Sequence, residues 1–327
     1  MPFLTQVGAV FAKIETTPGV EAAPTTTGAG NDFIQAIDAQ YSPDFQMIER
    51  NYMRPSLSRT PHLMGRQLAT LTFTTEVFGT GVAALTTSAT TQAAATPKWA
   101  DLLEGCGFLG AAVATPAGKT YAPLTSSQKT LTLYCYYDGL LHKLTGAMGT
   151  FTLNAEAGQL ATIQWTFTGV HNAPVAQATP TPAFTTVNPP LVESCSLTIG
   201  GTASSVLLVQ NIGFDIQNNV VPRADANSAK GFNSMYITGR NGQVTINPEQ
   251  VPEASHPFWG DFTSSARKSL TFNVGSTAGN KMEVNIPNAQ MSGLSYSDRD
   301  GIRVYDVTMA TTSTTAAGND EITVKFV

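Results

Sequence analysis

The chain carries little charge for its length. Only 13% of its 327 residues are Asp, Glu, Lys or Arg, and the formal net charge is −5. Globular proteins usually hold about a quarter of charged residues. An acidic balance without clustered Lys and Arg argues against a protein that binds duplex DNA tightly. Few charges together with many Thr residues favour β-strands and a surface that is largely covered by neighbouring molecules.

Cysteines are sparse and odd in number: Cys106, Cys135 and Cys195. Such a set does not make the disulfide framework of a small secreted domain. Cys106 and Cys135 have apolar neighbours in the sequence, so we expect both to be small core side chains. We find no cationic segment followed by an apolar run near Met1, and no stretch of ~18 apolar residues. The sequence therefore predicts no signal peptide and no membrane association.

Motifs that carry catalysis are also missing. The four histidines have no metal-binding spacing: His62, His142, His171 and His256. There is no Gly-x-Ser-x-Gly, no phosphate-binding Gly-rich loop and no Cys-x-x-Cys. Aligning Gly301 with the glycine of a calcium-binding EF-hand loop puts Tyr296 and Val307 at ligand positions, so Asp298-Arg-Asp-Gly predicts a turn. We predict a protein that is not an enzyme and needs no cofactor or metal.

Two short stretches share the pattern Pro-x-Trp-small-Asp-apolar. They begin at Pro97 and at Pro257, and each is followed and preceded by strand-like segments. The spacing of Trp99, Leu102 and Cys106 is that of one buried helix face, and a proline suits the first helical position. Four residues are the predicted core anchors of the two helices: Trp99, Leu102, Trp259 and Phe262.

The strand-like segments on either side of these helices recur in the same order, which predicts a duplication. The expected fold is mainly β with one short helix per domain, in two tandem sandwich-like or barrel-like domains. We place an irregular amino-terminal arm at 1–32, domain 1 at 33–175, a Pro-rich linker at 176–190 and domain 2 at 191–327.

The segment from Glu49 to Arg66 differs from the rest of the chain because arginines and prolines alternate with large apolar residues. This composition is typical of a protein–protein contact. A solvated loop and a nucleic-acid-binding loop are the alternatives. Seven residues are the candidates for the contact: Arg50, Tyr52, Arg54, Leu57, Arg59, Leu63 and Arg66.

Several of these stretches resemble the major tail tube proteins of long-tailed bacteriophages, of the two-domain, duplicated type. The resemblance lies in Glu15-Thr-Thr-Pro-Gly, in Asp44 to Arg54, in Pro97 to Phe108, in Tyr137 to Thr150, in Gly158 to Gly169, in Asn219-Val-Val-Pro-Arg and in Ala317-Gly-Asn-Asp-Glu-Ile-Thr. It covers the whole chain and consists of a pattern without a catalytic fingerprint.

The resemblance implies a structural virion protein that is made in the host cytoplasm and joins the tail. Inner sheets would unite into one continuous β-barrel, and stacked rings would form a tube that conducts DNA without binding it specifically. Six domains per ring imply three subunits with pseudo-sixfold symmetry, and six subunits are the alternative. The Arg50–Arg66 loop becomes the candidate ring-to-ring contact. The implied partners are further copies of the chain and the tape measure, distal tail and tail terminator proteins.

Two other functions stay open from the sequence. Another tail or baseplate protein could share the same fold, since a fold does not determine a function. A secreted β-sandwich binding module would expose an aromatic platform, for which Tyr134 and Tyr136 lie on one face of their predicted strand.

Overall fold

The computed structural model of the chain describes residues 7–28, 31–82, 96–114, 117–193, 195–203, 207–228 and 230–327. Antiparallel strands dominate it, with only short helical segments, which confirms the predicted mainly β fold. Seventeen strands belong to one hydrogen-bonded network, and two more form a separate hairpin.

Nine strands lie in the described part of the first half of the chain. They are β1 (Gly8–Ile14), β2 (Phe33–Ile34), β3 (Ile37–Ile48), β4 (Leu63–Glu76), β5 (Phe108–Ala114), β6 (Ala117–Pro123), β7 (Leu131–Tyr137), β8 (Leu140–Glu156) and β9 (Thr162–Ala176). A 3₁₀ turn at Lys98–Ala100 leads into helix α1 (Asp101–Gly105) between β4 and β5.

The residues described in the second half form ten strands and one helix. The strands are β10 (Thr198–Ile199), β11 (Thr202–Ala203), β12 (Val209–Asp215), β13 (Asn219–Ala224), β14 (Phe232–Gly239), β15 (Gln243–Pro248), β16 (Arg267–Val274), β17 (Met282–Arg299), β18 (Ile302–Thr311) and β19 (Thr323–Phe326). Helix α2 (Phe258–Thr263) lies between β15 and β16.

Eight strands form one sheet that runs through both halves, here called the long sheet. Its order is β3–β4–β9–β8–β12–β15–β18–β17, and every pairing is antiparallel. The first four strands come from the first half and the last four from the second. Strand β12 occupies in the second group the place that β3 occupies in the first, and β17 occupies the place of β8. The expected duplication is thus visible as a repeated strand order, while the boundaries of the two domains stay a prediction.

A second layer covers the core side of the long sheet. The amino-terminal parts of β8 and β17 pair with β7 and β16, and that of β8 stays paired with the end of β9 as well. Strand β1 adds to β7, and β10 adds to β16. The core between the layers is continuous across both halves, because the alternating apolar residues of the long sheet all face it. In β9, for example, Ile163, Trp165 and Phe167 are buried, as their alternation predicts.

The turn between β7 and β8 agrees with its sequence. Asp138 and Gly139 both have positive φ, 41° and 90°. A two-residue hairpin loop of this kind matches the twist of its strands, and Asp-Gly tolerates the conformation. The sequence therefore determines this hairpin locally.

The predicted irregular arm at 1–32 contains strand β1. Strands β5 and β6 form a hairpin after the first helix. Ala9, Val10, Phe11 and Ala12 are all buried, so β1 is covered on both faces and shows no alternation that a sequence could reveal. Strand β6 pairs with β19, about 200 residues away, and local sequence carries no signal of such a partner.

Candidate assembly surfaces

The face of the long sheet that points away from the core is polar, except where Leu68, Met148 and Val170 pack against Met235 and Ile237 of β14. Between the buried apolar positions the strands place mostly Thr, Gln, Asn and Ser. Examples from β4, β9, β8, β12 and β15 are Thr70, Thr72, Thr74, Gln164, Thr166, Thr152, Asn154, Asn211 and Thr245. Short polar side chains on paired strands give a smooth hydrated surface, since none of them projects far from the backbone.

Charges on this polar face are predominantly negative. Its two arginines, Arg66 and Arg299, each contact a carboxylate at 2.6 Å, Asp44 and Glu249 respectively. Four carboxylates on the same face stand in no ion pair among the described residues: Glu76, Glu156, Asp215 and Asp306. The face therefore presents hydroxyls, amides and excess negative charge.

The junction between the two halves is a β-pairing. Strand β12 lies beside β8 with Leu153 opposite Phe214 and Ala155 opposite Ile212. Leu153 and Phe214 are 2% and 1% exposed, so an apolar contact closes the seam on the core side. The pairing makes the two groups of four strands one sheet and removes two open edges.

A second contact between the halves buries the first Trp helix. Trp99 is 1% exposed and donates its Nε1–H to the carbonyl oxygen of Phe78 at 3.0 Å. The ring of Phe326, from the last strand of the chain, stands edge-on over Trp99 at 5.1 Å. Gly79 approaches the second half so closely that a Cβ there would lie 2.0 Å from the carbonyl oxygen of Gly279. Trp99 is thus a core anchor because the second half covers it.

The second Trp helix differs from the prediction. Trp259 is 36% exposed, whereas Phe258 beside it is fully buried and packs on Tyr305 at 5.1 Å. Phe262 is half-buried against the core, and Leu102 of the first helix is fully buried. The expectation that Trp259 is a core anchor is therefore wrong for the single chain. The physical reason is that the ring packed on Trp259, Tyr296, is itself 49% exposed, whereas the ring over Trp99, Phe326, is 3% exposed.

Trp259 belongs to an exposed aromatic patch made of Trp259, Tyr296 and Arg303. Its indole N–H donates to the Tyr296 hydroxyl at 3.0 Å, with the two rings 5.7 Å apart. Tyr296 is 49% exposed, and the guanidinium of Arg303 lies 5.4 Å from its ring centroid. Large apolar groups gathered on a surface are typical of an interaction site.

The seven predicted contact residues lie on one long projection. Strands β3 and β4 form a hairpin whose tip is the segment 49–62, here called the arm tip. Arg50, Tyr52, Arg54, Leu57 and Arg59 lie in the arm tip, while Leu63 and Arg66 open β4. Leu57 is 107% and Met53 103% exposed. Because these side chains touch little of their own chain, the arm tip has apolar surface to offer a partner.

Part of the basic character of the projection is neutralised within it. Arg59 pairs with Glu49, and Arg66 pairs with Asp44. Arg50 lies over the ring of Tyr52, with its guanidinium carbon 4.9 Å from the ring centroid. These contacts hold the arm tip in shape and leave its apolar residues as the principal contact surface.

The amino-terminal segment is fixed by a buried carboxylate. Glu15 is 4% exposed and accepts hydrogen bonds from the hydroxyls of Thr130 and Thr132, at 2.5 and 2.8 Å. It also accepts from the backbone N–H groups of Gly19 and Gly146, both at 2.8 Å. Four donors satisfy the carboxylate fully, which stabilises a buried charge. The Glu15-Thr-Thr-Pro-Gly stretch therefore fastens the start of the chain to β7 and β8.

The aromatic platform expected of a binding module is not on the surface. Tyr134 and Tyr136 do share one face of β7, but they are 6% and 0% exposed. They pack with Phe11 and Phe33 of the amino-terminal segment. The amino-terminal segment thus covers the surface that such a module would use.

Tyr41, His142 and His171 form a cluster near the outer edge of β3 that the sequence did not reveal. The Tyr41 hydroxyl and His171 Nδ1 share a hydrogen bond, and the Tyr41 ring lies 4.6 Å from that of His142. Burial lowers the pKa of both histidines. Burial also raises the pKa of Tyr41, so all three groups are neutral at pH 7.

The Tyr137 hydroxyl occupies the outer edge of β3. It accepts from the backbone N–H of Tyr41 and donates to the carbonyl oxygen of Ala39, both at 2.9 Å. These are backbone groups that an additional strand would use for pairing. Tyr137 therefore caps part of a sheet edge.

The described residues contain no group of three or more His, Cys, Asp and Glu side chains arranged to hold a metal ion. His256 lies 3.9 Å from Asp261, which in turn contacts Lys268 at 3.1 Å. This small polar cluster braces α2 on β16. Within the described part of the chain, no helix has the length and apolarity needed to span a membrane.

Comparison with known proteins gives one family. The family model described as phage tail tube protein matches residues 5–326. A search of the curated proteins finds no match.

Proposed function

The chain belongs to the phage tail tube protein family, and we propose on this premise that it assembles into stacked rings whose lumen conducts phage DNA. Tail tube proteins are structural parts of the virion tail, so the work of this chain lies in geometry and interfaces. The observation that carries the proposal is the pairing of β8 with β12, which joins two copies of one four-stranded unit side by side within a single chain.

Repetition of this junction between chains produces a closed ring. The long sheet begins at β3 and ends at β17, and each of these strands pairs within the long sheet on one side only among the described residues. A heterologous contact between two different edges closes when the rotation per unit divides the circle. Three chains supply six four-stranded units, so we propose a trimeric ring with pseudo-sixfold symmetry, with six subunits per ring as the alternative.

The polar face of the long sheet suits the lumen. A sheet that closes on itself must turn one face inward, and the apolar face is already used by the core. Unpaired carboxylates repel the phosphates of DNA, and hydroxyls and amides carry no net charge to attract them. A basic wall would bind the phosphates by counterion release. We therefore propose that Glu76, Glu156, Asp215 and Asp306 line the channel and that DNA passes without specific binding.

The arm tip is the proposed contact between rings. It extends beyond the paired strands of its own half, and its most exposed residues, Met53 and Leu57, are apolar. Residues Arg50, Tyr52, Arg54, Leu57, Arg59, Leu63 and Arg66 keep their predicted role as candidates. Further expected partners, at the ends and in the lumen of the tube, are the tape measure, distal tail and tail terminator proteins.

Deletion of the tip from Tyr52 to Met64 tests the stacking proposal. We expect folded rings that no longer form tubes, because the deletion leaves both edges of the long sheet intact. Negative-stain electron microscopy reads out tube formation, and native mass spectrometry counts the copies in an isolated ring. Tubes of normal width from the deletion variant would contradict the role of the arm tip. Six copies per ring would replace the trimer by the hexamer.

A further inference from the structure

The two halves of the chain can be superimposed residue by residue on their strand pairings. Tyr137 lies opposite Leu140 at the top of the β7–β8 hairpin, and Val274 lies opposite Met282 at the top of β16–β17. Four residues further along each long strand, Leu133 lies opposite Leu144 and Leu270 opposite Ile286. Strands β8 and β17 are therefore equivalent over their first five residues.

At the other end the match is shifted by one residue, because β8 has 17 residues and β17 has 18, and each strand is interrupted by a bulge, between Thr145 and Met148 and between Met291 and Gly293. In the first half, Phe73, Trp165 and Phe151 form one row across β4, β9 and β8. In the second half, the corresponding row is Ile246, Val307 and Leu294. Phe151 and Leu294 stand equally far from the ends of their strands (151 to 156 and 294 to 299). Leu153 thus corresponds to Tyr296, and Phe214 of β12 corresponds to Tyr41 of β3.

From this correspondence we infer the seam between neighbouring copies: β17 of one copy pairs with β3 of the next with Tyr296 opposite Tyr41. The inference rests on the proposed ring and specifies its contact. Each residue pair of the β8–β12 junction has an equivalent pair at the seam. The pair Asn154–Gly213 corresponds to Ser297–Gln40, and the pair Thr152–Asp215 corresponds to Ser295–Ser42.

The exposed aromatic patch is explained by this seam. Tyr296 occupies the place of Leu153, which is buried by Phe214 inside the chain. At the seam, Tyr296 meets the ring of Tyr41 from the next copy. Aromatic cross-strand pairs stabilise a sheet more than small ones do. The aromatic patch is therefore exposed only in the single copy, and the next copy in the ring covers it.

Trp259 obtains its cover from the same neighbour. Phe326, which lies over Trp99, stands opposite Met282 in β17. The equivalent position in the first half is Ala176, which stands opposite Leu140 in β8. Beside it, Val175 is 48% exposed. The end of β9 in the next copy thus takes the place over Trp259 that β19 takes over Trp99.

A groove beside β3 has room for the turn that follows β17. The groove has a volume of about 610 Å³ and is lined by Val10, Ile34, Asp38, Gln40 and Phe184, among others. In the junction inside the chain, the turn after β8 donates from Ala157 N–H to the Gln210 carbonyl oxygen at 2.8 Å. The turn between β17 and β18 is its equivalent, and Ile302, 49% exposed, is the apolar group that it brings to the groove.

The seam also requires one local rearrangement. The backbone groups of Ala39 and Tyr41 that face the incoming strand are held by the Tyr137 hydroxyl. Pairing with β17 replaces these two hydrogen bonds by backbone ones, so Tyr137 must turn away. In the single copy, Tyr137 protects the edge from uncontrolled pairing, which is a recognised need of open edges.

A designed disulfide tests the register. In the β8–β12 junction the pair equivalent to Gln40 and Ser297 is Gly213 and Asn154. It is not hydrogen-bonded, because bonded and non-bonded pairs alternate and the bonded ones include Ala157 with Gln210 and Phe151 with Ile216. Such pairs have Cα atoms about 4.5 Å apart, within the range of a disulfide. The variant Gln40→Cys with Ser297→Cys should therefore link copies covalently on oxidation. The matched control, Gln40→Cys with Ser295→Cys, places the thiols on a diagonal of about 7–8 Å, which a disulfide does not span well.

Non-reducing gels read out the links in assembled, oxidised samples. We expect the first pair to give multiples of the chain mass at roughly tenfold the yield of the control, as its separation alone fits a disulfide. The single-cysteine variants measure the background from Cys106, Cys135 and Cys195, of which the first two are buried. If the first pair prevents assembly even when reduced, Ser42→Cys with Ser295→Cys tests the same register.

The outcomes separate the seam from the function. If tubes of the control variant (Gln40→Cys with Ser295→Cys) are disulfide-linked and tubes of the first variant (Gln40→Cys with Ser297→Cys) are not, the proposed register is wrong. Tubes without links in any pair overturn the seam and leave the tube proposal standing. If the unmodified chain forms neither rings nor tubes, the proposed function itself fails.

Discussion

The two tryptophans of the repeated motif should respond in opposite ways to the same substitution. Trp99 is 1% exposed, holds a hydrogen bond through Nε1 and touches the rings of Phe326 and Trp165. Replacing a buried tryptophan by alanine costs about 3–5 kcal/mol. Trp259 is 36% exposed in the single copy, so Trp259→Ala removes less burial than Trp99→Ala, together with the hydrogen bond to Tyr296, and should cost about 1–2 kcal/mol.

Urea unfolding of the unassembled chain, followed by circular dichroism, measures this contrast. At slopes near 3 kcal/mol per molar urea, Trp99→Ala should lower the midpoint by ~1 M or more, and Trp259→Ala should shift it by a few tenths. Assembly should show the reverse selectivity, because Trp259→Ala folds normally yet loses a surface that the next copy covers. Equal unfolding midpoints for the two variants, or normal tubes from Trp259→Ala, would refute the reasoning.

Two further perturbations probe the edge of β3. Tyr137→Phe removes the hydroxyl that caps the backbone groups of Ala39 and Tyr41. These hydrogen bonds contribute ~1 kcal/mol, so the critical concentration for assembly should fall about fivefold. Light scattering measures the critical concentration, Tyr136→Phe is the control, and an unchanged value contradicts the capping role. His142 has a pKa below its ordinary value because it is desolvated, so the unfolded chain binds more protons than the folded one below about pH 6.5. The stability that the neutral, buried His142 supplies is complete above pH 6.5 and is lost as the pH falls below it. The urea midpoint should therefore decline less between pH 8 and pH 5 in His142→Gln than in the unmodified chain. Parallel pH profiles of the two proteins would argue against a lowered pKa of His142.

Local patterns predicted much of the fold because their causes are local. The Asp138-Gly139 hairpin, the alternation of Ile163, Trp165 and Phe167, and the burial of Trp99 and Leu102 follow from turn chemistry and side-chain period. The exposed, apolar composition of the segment around Tyr52 and Leu57 was also visible. Strand β1 was missed because a strand buried on both faces does not alternate.

The equivalence of the two Trp helices misled the prediction for Trp259. The shared pattern Pro-x-Trp-small-Asp-apolar forms a short helical segment in both places, but burial depends on what lies above the helix. For Trp99 this is Phe326, from the far end of the chain. No local pattern encodes such a contact, and the same holds for the hydrogen bond between Tyr41 and His171.

The sequence by itself determined a low-charge, strand-rich chain with a duplicated pattern, without the spacings of a catalytic or metal site. Hydrophobic period, turn residues and composition act over a few residues and are readable there. The tertiary structure alone decided which strands become neighbours, that β8 joins β12 in one long sheet, and that β3 and β17 end this sheet among the described residues. These depend on pairings between residues far apart in the chain, where backbone hydrogen bonds are the same for every residue and only the packing of the whole core selects the partner.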